Sequence, residues 1–157
     1  MNEEKLLIKI VDEALDRLYT NEKILFKENS SERNRVFHFA RYFIDILKEQ
    51  KIFEECDVDC EYNRDYFNEK KYKEVVYEGK EHRIFPDFIL HKRGSNKENK
   101  LAIEFKNTKN LNKIDKYKLE ALTSEEGSYN YKLGLFIKFN KLRKNVRIIK
   151  FKNGRKY

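Results

Sequence analysis

Two short apolar runs joined by a polar turn, spanning Arg83 to Asn107, constrain this chain more than any other stretch. The first run opens on the single proline, followed at once by an acid, Pro86-Asp87; the second is Leu101 to Lys106. Alternation in the second run puts Leu101, Ile103 and Phe105 on one face of a strand and Ala102, Glu104 and Lys106 on the other. Gly94, Ser95 and Asn96 lie between the runs, so a hairpin is expected. Such a hairpin brings Asp87 beside Glu104, with Lys106 on Glu104's face. Two carboxylates and a lysine at a sheet edge can hold a divalent cation and position a water molecule.

The Glu-x-Lys triplet alone says little in a chain that is 39% charged, where it occurs six times. Only Glu104-Phe105-Lys106 lies inside an apolar alternating run and follows a Pro-Asp that opens another. In that context the chain resembles the PD-(D/E)XK nuclease superfamily, with Pro86-Asp87 and Glu104-Phe105-Lys106 as the two halves of the motif.

The remaining periodicities fit the same order of elements. Leu7, Val11, Ala14 and Leu18 mark an amphipathic helix over residues 3–18. Residues 20–30 read as a connection. Ser30-Ser31 offers a cap for a helix running to about Lys48, in which Glu32 shares a face with Val36, Phe39 and Phe43 and so points at the sheet edge. Cys56 to Arg64 reads as a first strand, in which Asp57 and Asp59 could sit near the site, although solvated strand positions are the commoner case. The highly charged residues 65–82 read as a mobile or substrate-facing insertion, with Val75 to Tyr77 as a short strand. A helix is expected from about Leu111 to Thr123, with Ile114, Lys118, Ala121 and Leu122 on one face and Asp115 pairing with Lys118. Strands are expected over Tyr131 to Phe139, where Gly134 permits close approach, and over Val146 to Phe151.

The resemblance covers about residues 32–139. It implies an α/β, restriction-endonuclease-like fold with an α-β-β-β-α-β core, a mixed central sheet flanked by helices, and an extra N-terminal helix. The whole is expected to form one domain over residues 1–157, with the appended helix in 1–22 and a basic terminal strand in 140–157. It further implies a metal-dependent nuclease, endo- or exo-acting, in which Asp87, Glu104 and the Phe105 backbone carbonyl hold Mg²⁺ or Mn²⁺. Lys106 would orient the attacking water or stabilise the transition state, and a cation beside it would lower its pKa. Glu32 would complete the acidic site from the preceding helix, and Lys118 would lend it a basic side chain. Apart from the resemblance, His91 ends the first apolar run in the same alternation as Asp87 and Ile89, where it could hydrogen-bond a phosphate or a nearby carboxylate.

A formal charge of +8 and a pI near 9.3 suit a polyanionic partner, DNA ahead of RNA. Lys138, Lys141, Arg143, Lys144 and Arg147 in the basic tail are the candidate phosphate contacts. A homodimer would serve symmetric double-strand cutting. Cys56 and Cys60 lack the ligand spacing of a zinc site. No leader or long apolar run is seen, so a cytoplasmic protein without a membrane partner is expected. Two rivals remain: a nucleic-acid-binding protein that keeps a nuclease-like fold without catalysis, and a protein-interaction module.

Overall fold

The computed structural model describes residues 2–64 and 73–157. Helix α1, Glu3–Asn21, starts at Asn2, whose side chain accepts the Lys5 N–H at 2.9 Å, and Glu3 and Glu4 follow in its first turn. Its stripe of Leu7, Ile10, Val11, Ala14, Leu15 and Leu18 is buried. The expected connection over 20–30 contains a further short helix, α2, Lys23–Lys27, which inserts Phe26 into the core. Helix α3, Glu32–Gln50, is capped by Ser31, which accepts the Asn34 N–H, and it ends on Lys51 in a left-handed conformation. Val36, Phe39, Phe43 and Ile46 line its buried face.

The architecture is mixed α/β, a mixed central sheet flanked by helices. Its strands are β1 (Asp57–Asp59), β4 (Phe88–His91), β5 (Leu101–Lys106), β6 (Leu133–Lys138), β7 (Arg147–Lys152) and β8 (Arg155–Lys156), after a separate hairpin of β2 (Glu74–Tyr77) and β3 (Lys80–Arg83). The sheet order is β1-β4-β5-β6-β7-β8, with only β5 and β6 parallel. That parallel step needs a crossover, supplied by α4, Lys113–Thr123. Taken through α3, β1, β4, β5, α4 and β6, the order is the expected α-β-β-β-α-β.

Both faces of the sheet are covered, so β4 and nearly all of β5 are buried on both sides. Phe88, Leu90, Leu101, Ile103, Phe105, Leu133, Leu135 and Ile137 pack with α1 and α3. Ile89, Ala102, Phe136 and Phe151 face α4. Here α4 comes close to β6 because Gly134 has no side chain: a Cβ there would lie 2.8 Å from Thr123 Cγ2 and 3.4 Å from Leu119 Cδ2.

Three expectations need correction. The first strand stops at Asp59 and does not reach Arg64, because Glu61 turns with φ 53° and gives its N–H to the Pro86 carbonyl at 3.0 Å. Within the expected insertion, residues 65–72 lie outside the described residues. Residues 74–83 are a hairpin docked on the core through Val75 and through Tyr129, whose hydroxyl bonds both the N–H and the carbonyl of Glu74. The buried side of α4 is Asp115, Leu119, Leu122 and Thr123, about one residue's rotation from the face read in the sequence.

Candidate active site

The register of β4 against β5 pairs Phe88 with Ile103 and Ile89 with Ala102. One further step sets Asp87 opposite Glu104, the separation at which cross-strand side chains meet. Pro86 lies outside the strand, its carbonyl accepting the Glu61 N–H at 3.0 Å. The Lys106 carbonyl accepts the Phe139 N–H at 2.8 Å on the β6 side. Backbone groups alternate along a strand, so the N–H and C=O of Phe105 point to the β4 side. There the N–H donates to Asp87 Oδ2 at 2.7 Å. The β4 ladder stops at Phe88, so Asp87 meets β5 through its side chain and not through its backbone.

Glu104 is 2% exposed, and its Oε1 is buried without a hydrogen-bond partner. Burial, then the repulsion of Asp87, pushes its pKa up to about 8. Burial also raises Asp87, to about 6, against the pull of the Phe105 N–H and Lys106. Lys118 Nζ stands 3.9 Å from Glu104 Oε2 and 3.9 Å from Asp115 Oδ1. Lys106 Nζ stands 3.9 Å from Glu32 Oε1. Burial works against the Lys106 ammonium, but Asp115, Glu32, Asp87 and Glu104 together outweigh it and raise its pKa above the usual lysine value. This chain therefore holds Lys106 as a donor and a positive charge; the fall in its pKa expected from the sequence depends on a cation being bound.

Glu32 reaches the same edge from the start of α3, where its Oε2 accepts the Asn107 N–H at 2.9 Å. Asn107 ties α3 to the end of β5 a second way, donating to the Ser30 carbonyl and accepting from Arg35 at 3.0 Å. Arg35 is itself buried, with its guanidinium over the Phe26 ring. The structure thus brings Asp87, Glu104, Lys106, Glu32 and Lys118 together. It adds Asp115, which is 3% exposed with Oδ2 unpartnered. Asp115 was detectable as an acid at i, i+4 and i+7 from Leu119 and Leu122, on the apolar stripe of its helix. Arg35 and Asn107 carried no comparable signal.

His91 is not part of this group. It ends β4 four residues from Asp87, about 13 Å along the strand. It is 1% exposed, with Nε2 2.9 Å from Asp59 Oδ2 and its ring edge-on to Tyr62. Burial lowers its pKa against the pull of Asp59. Asp59 also takes Nε of Arg93 at 2.8 Å, and the Arg93 N–H donates to Asp57.

The basic tail divides. Lys106, Lys138 and Arg147 are register partners across β5, β6 and β7, a basic row at the carboxylate end of the sheet. Lys138 also donates to Asn110 Oδ1 at 2.9 Å. Lys141 lines a cleft of about 640 Å³ with Lys23, Lys27 and Phe26. Arg143 is spent on α1, bonding Asp16 at 2.7 Å and Asp12 at 3.0 Å. Lys144 is exposed in a 3₁₀ turn, Arg143–Asn145.

Among the described residues no cluster of three or more His, Cys, Asp or Glu side chains is close enough to share one metal ion. Asp87, Glu104 and the Phe105 carbonyl nonetheless fit a hard cation in chemistry: all three are oxygens, and one is an orphaned carboxylate oxygen. Water would complete the coordination, as is usual for Mg²⁺.

No family model matches the sequence, and no curated protein matches it. Among solved structures the chain is similar to one described as the crystal structure of SSO0001, at 16% identity and a TM-score of 0.37. The match covers 91% of this chain and 65% of that one, and a likeness so low carries no argument. Among the described residues no helix is long and apolar enough to cross a membrane.

Proposed function

We propose that this protein is a metal-dependent nuclease that hydrolyses phosphodiester bonds, with DNA as the preferred substrate. The observation that carries the reading is the Asp87–Glu104 pair: a half-buried Asp87 beside a fully buried Glu104, both with raised pKa, and with Oε1 of Glu104 lacking a hydrogen-bond partner. Holding two such acids together costs stability, and a divalent cation is the ligand that would relieve it. The resemblance to the PD-(D/E)XK superfamily agrees with this reading.

A bound Mg²⁺ or Mn²⁺ would supply positive charge to the phosphate and acidify a water. Asp87, Glu104 and the Phe105 carbonyl would hold it. Lys106 would donate to the attacking water or to a phosphate oxygen as charge builds there. Glu32 would keep Lys106 aimed and fix Asn107, while Lys118 would balance Glu104 and Asp115. Lys138 and Arg147 would carry the flanking phosphates. The reaction is assigned to the cytoplasm, on nucleic acid and without a membrane; a homodimer would be needed only for symmetric cutting of both strands.

The second reading, a nucleic-acid-binding protein without catalysis, is favoured by the basic row of Lys106, Lys138 and Arg147 across β5, β6 and β7. Incubation with labelled single- and double-stranded DNA and RNA in Mg²⁺ or Mn²⁺, beside a Glu104→Ala, Lys106→Ala double mutant, separates the two. Cleavage that needs metal and is lost in the mutant supports the hydrolase. Salt-sensitive binding with no cleavage supports the second reading.

A further inference from the structure

Beside the carboxylates lies a cavity of about 410 Å³ whose walls include Glu32 and Asp87 of the site itself. Its other walls are Val36 and Phe37 of α3 and Cys60 and Glu61 beyond β1. Phe37 is 62% exposed although it lies in a well-formed helix, one position from the buried Val36. The core makes no use of that ring. We infer that this cavity seats an unpaired nucleobase of the substrate strand, stacked on Phe37, next to the phosphate held at the acids. The inference rests on the nuclease reading for the position of that phosphate.

The charge of the cavity selects a base over a phosphate. Among the described residues, Glu32, Glu61 and Asp87 line it, and the one cationic side chain there, Arg33, already pairs with Glu61 at 2.9 Å. An anion is repelled by such walls, whereas a neutral ring bearing N–H donors finds acceptors there. Glu61 is fixed at the rim because its own N–H is held by the Pro86 carbonyl, one residue from Asp87. A base paired and stacked in a duplex cannot enter a side cavity, so the strand must be single or locally opened. The arrangement is an aromatic platform beside a phosphate site, which favours single strands without reading sequence.

The test is binding at low salt with Ca²⁺ in place of Mg²⁺, so that the acids carry a hard cation while cleavage is suppressed. Three fluorescent probes are compared: a single-stranded DNA oligonucleotide, its blunt duplex, and an abasic oligonucleotide of the same length and charge. The wild-type protein is expected to bind the base-bearing strand about 5- to 150-fold more tightly than the abasic one, the contribution of one stacked base. Phe37→Ala should lose most of that ratio, and Phe37→Tyr should keep it. In a Cys56→Ser protein, Cys60 is the only thiol. The base-bearing strand should slow its alkylation and the abasic strand should not.

An unchanged ratio in Phe37→Ala, equal alkylation of Cys60 with both strands, or no binding of either strand overturns the inference. Cleavage in Mg²⁺ with binding indifferent to Phe37 overturns the base site and leaves the hydrolase standing. Base-selective, Phe37-dependent binding without cleavage overturns the hydrolase and leaves the base site standing.

Discussion

The two ends of β4 carry the same chemistry to opposite effect. At one end Asp59 takes Arg93 and His91 across the β1–β4 edge, and these hydrogen bonds overcome burial and hold its pKa below the usual carboxylate value. At the other end Asp87 and Glu104 face each other, with their lysines no closer than a long ion pair, and both pKa values rise. A buried acid with its partners satisfied holds the fold together. A buried acid pair left short of positive charge weakens the fold and is suited to binding a cation.

The largest expected difference between the ends is catalytic. Glu104→Gln or Lys106→Ala should lower the metal-dependent cleavage rate by about 10²–10³-fold or more, the loss typical when one charge-stabilising group is removed. Asp59→Ala should leave that rate within a few-fold, measured at a temperature where both proteins are folded.

Stability should show the reverse. Asp59→Ala leaves Arg93 and a buried His91 without their acceptor and should cost about 1–3 kcal/mol, read as a lowered midpoint in urea. Glu104→Gln should raise the melting temperature at pH 8 in EDTA, because it removes an ionisation that the folded state resists.

The pH dependence should also split. Glu104 has a folded pKa near 8 against 4.5 in the open chain, so between those values the folded state holds a proton that the unfolded state has lost. Its contribution therefore makes stability fall as pH rises from about 4.5 to 8, and Asp87 adds to this between 3.8 and about 6. Asp59 acts oppositely: its stabilisation is present above 3.8 and is lost as pH falls through its lower folded value. Urea titrations of wild type and Glu104→Gln from pH 4 to 8.5 should diverge upward through this window. Parallel curves would count against a buried Glu104.

The smallest effect concerns the basic tail. Lys138→Ala and Arg147→Ala should each reduce the salt slope of DNA binding by about one unit if each meets one phosphate. Arg143→Ala should leave the slope unchanged and cost about 1 kcal/mol or less through its pairs with Asp12 and Asp16.

What could be read in the sequence was what depends on neighbours in the chain. The alternation of Leu101 to Lys106, the lone proline before Asp87 and the Ser31 cap each fix local geometry, and together they put Asp87, Glu104 and Glu32 at one edge. What could not be read depends on register and packing between distant segments. His91 looked like part of the site because it shares an alternation with Asp87; the β1–β4 register sets it opposite Asp57, and its ring reaches diagonally to Asp59. The buried face of α4 follows from the close approach at Gly134, and it turns Asp115 from a surface ion pair into a buried neighbour of Glu104. Arg143 looked like a phosphate contact because charge counting cannot see the two aspartates of α1 that take it up.

The most direct test of the contrast is a calorimetric titration with Mn²⁺ at pH 8, of wild type, Glu104→Gln and Asp59→Asn. Binding in wild type and Asp59→Asn that is lost in Glu104→Gln is the predicted result. No binding in wild type, or binding that survives Glu104→Gln, would contradict the assignment of the Asp87–Glu104 end as a metal site.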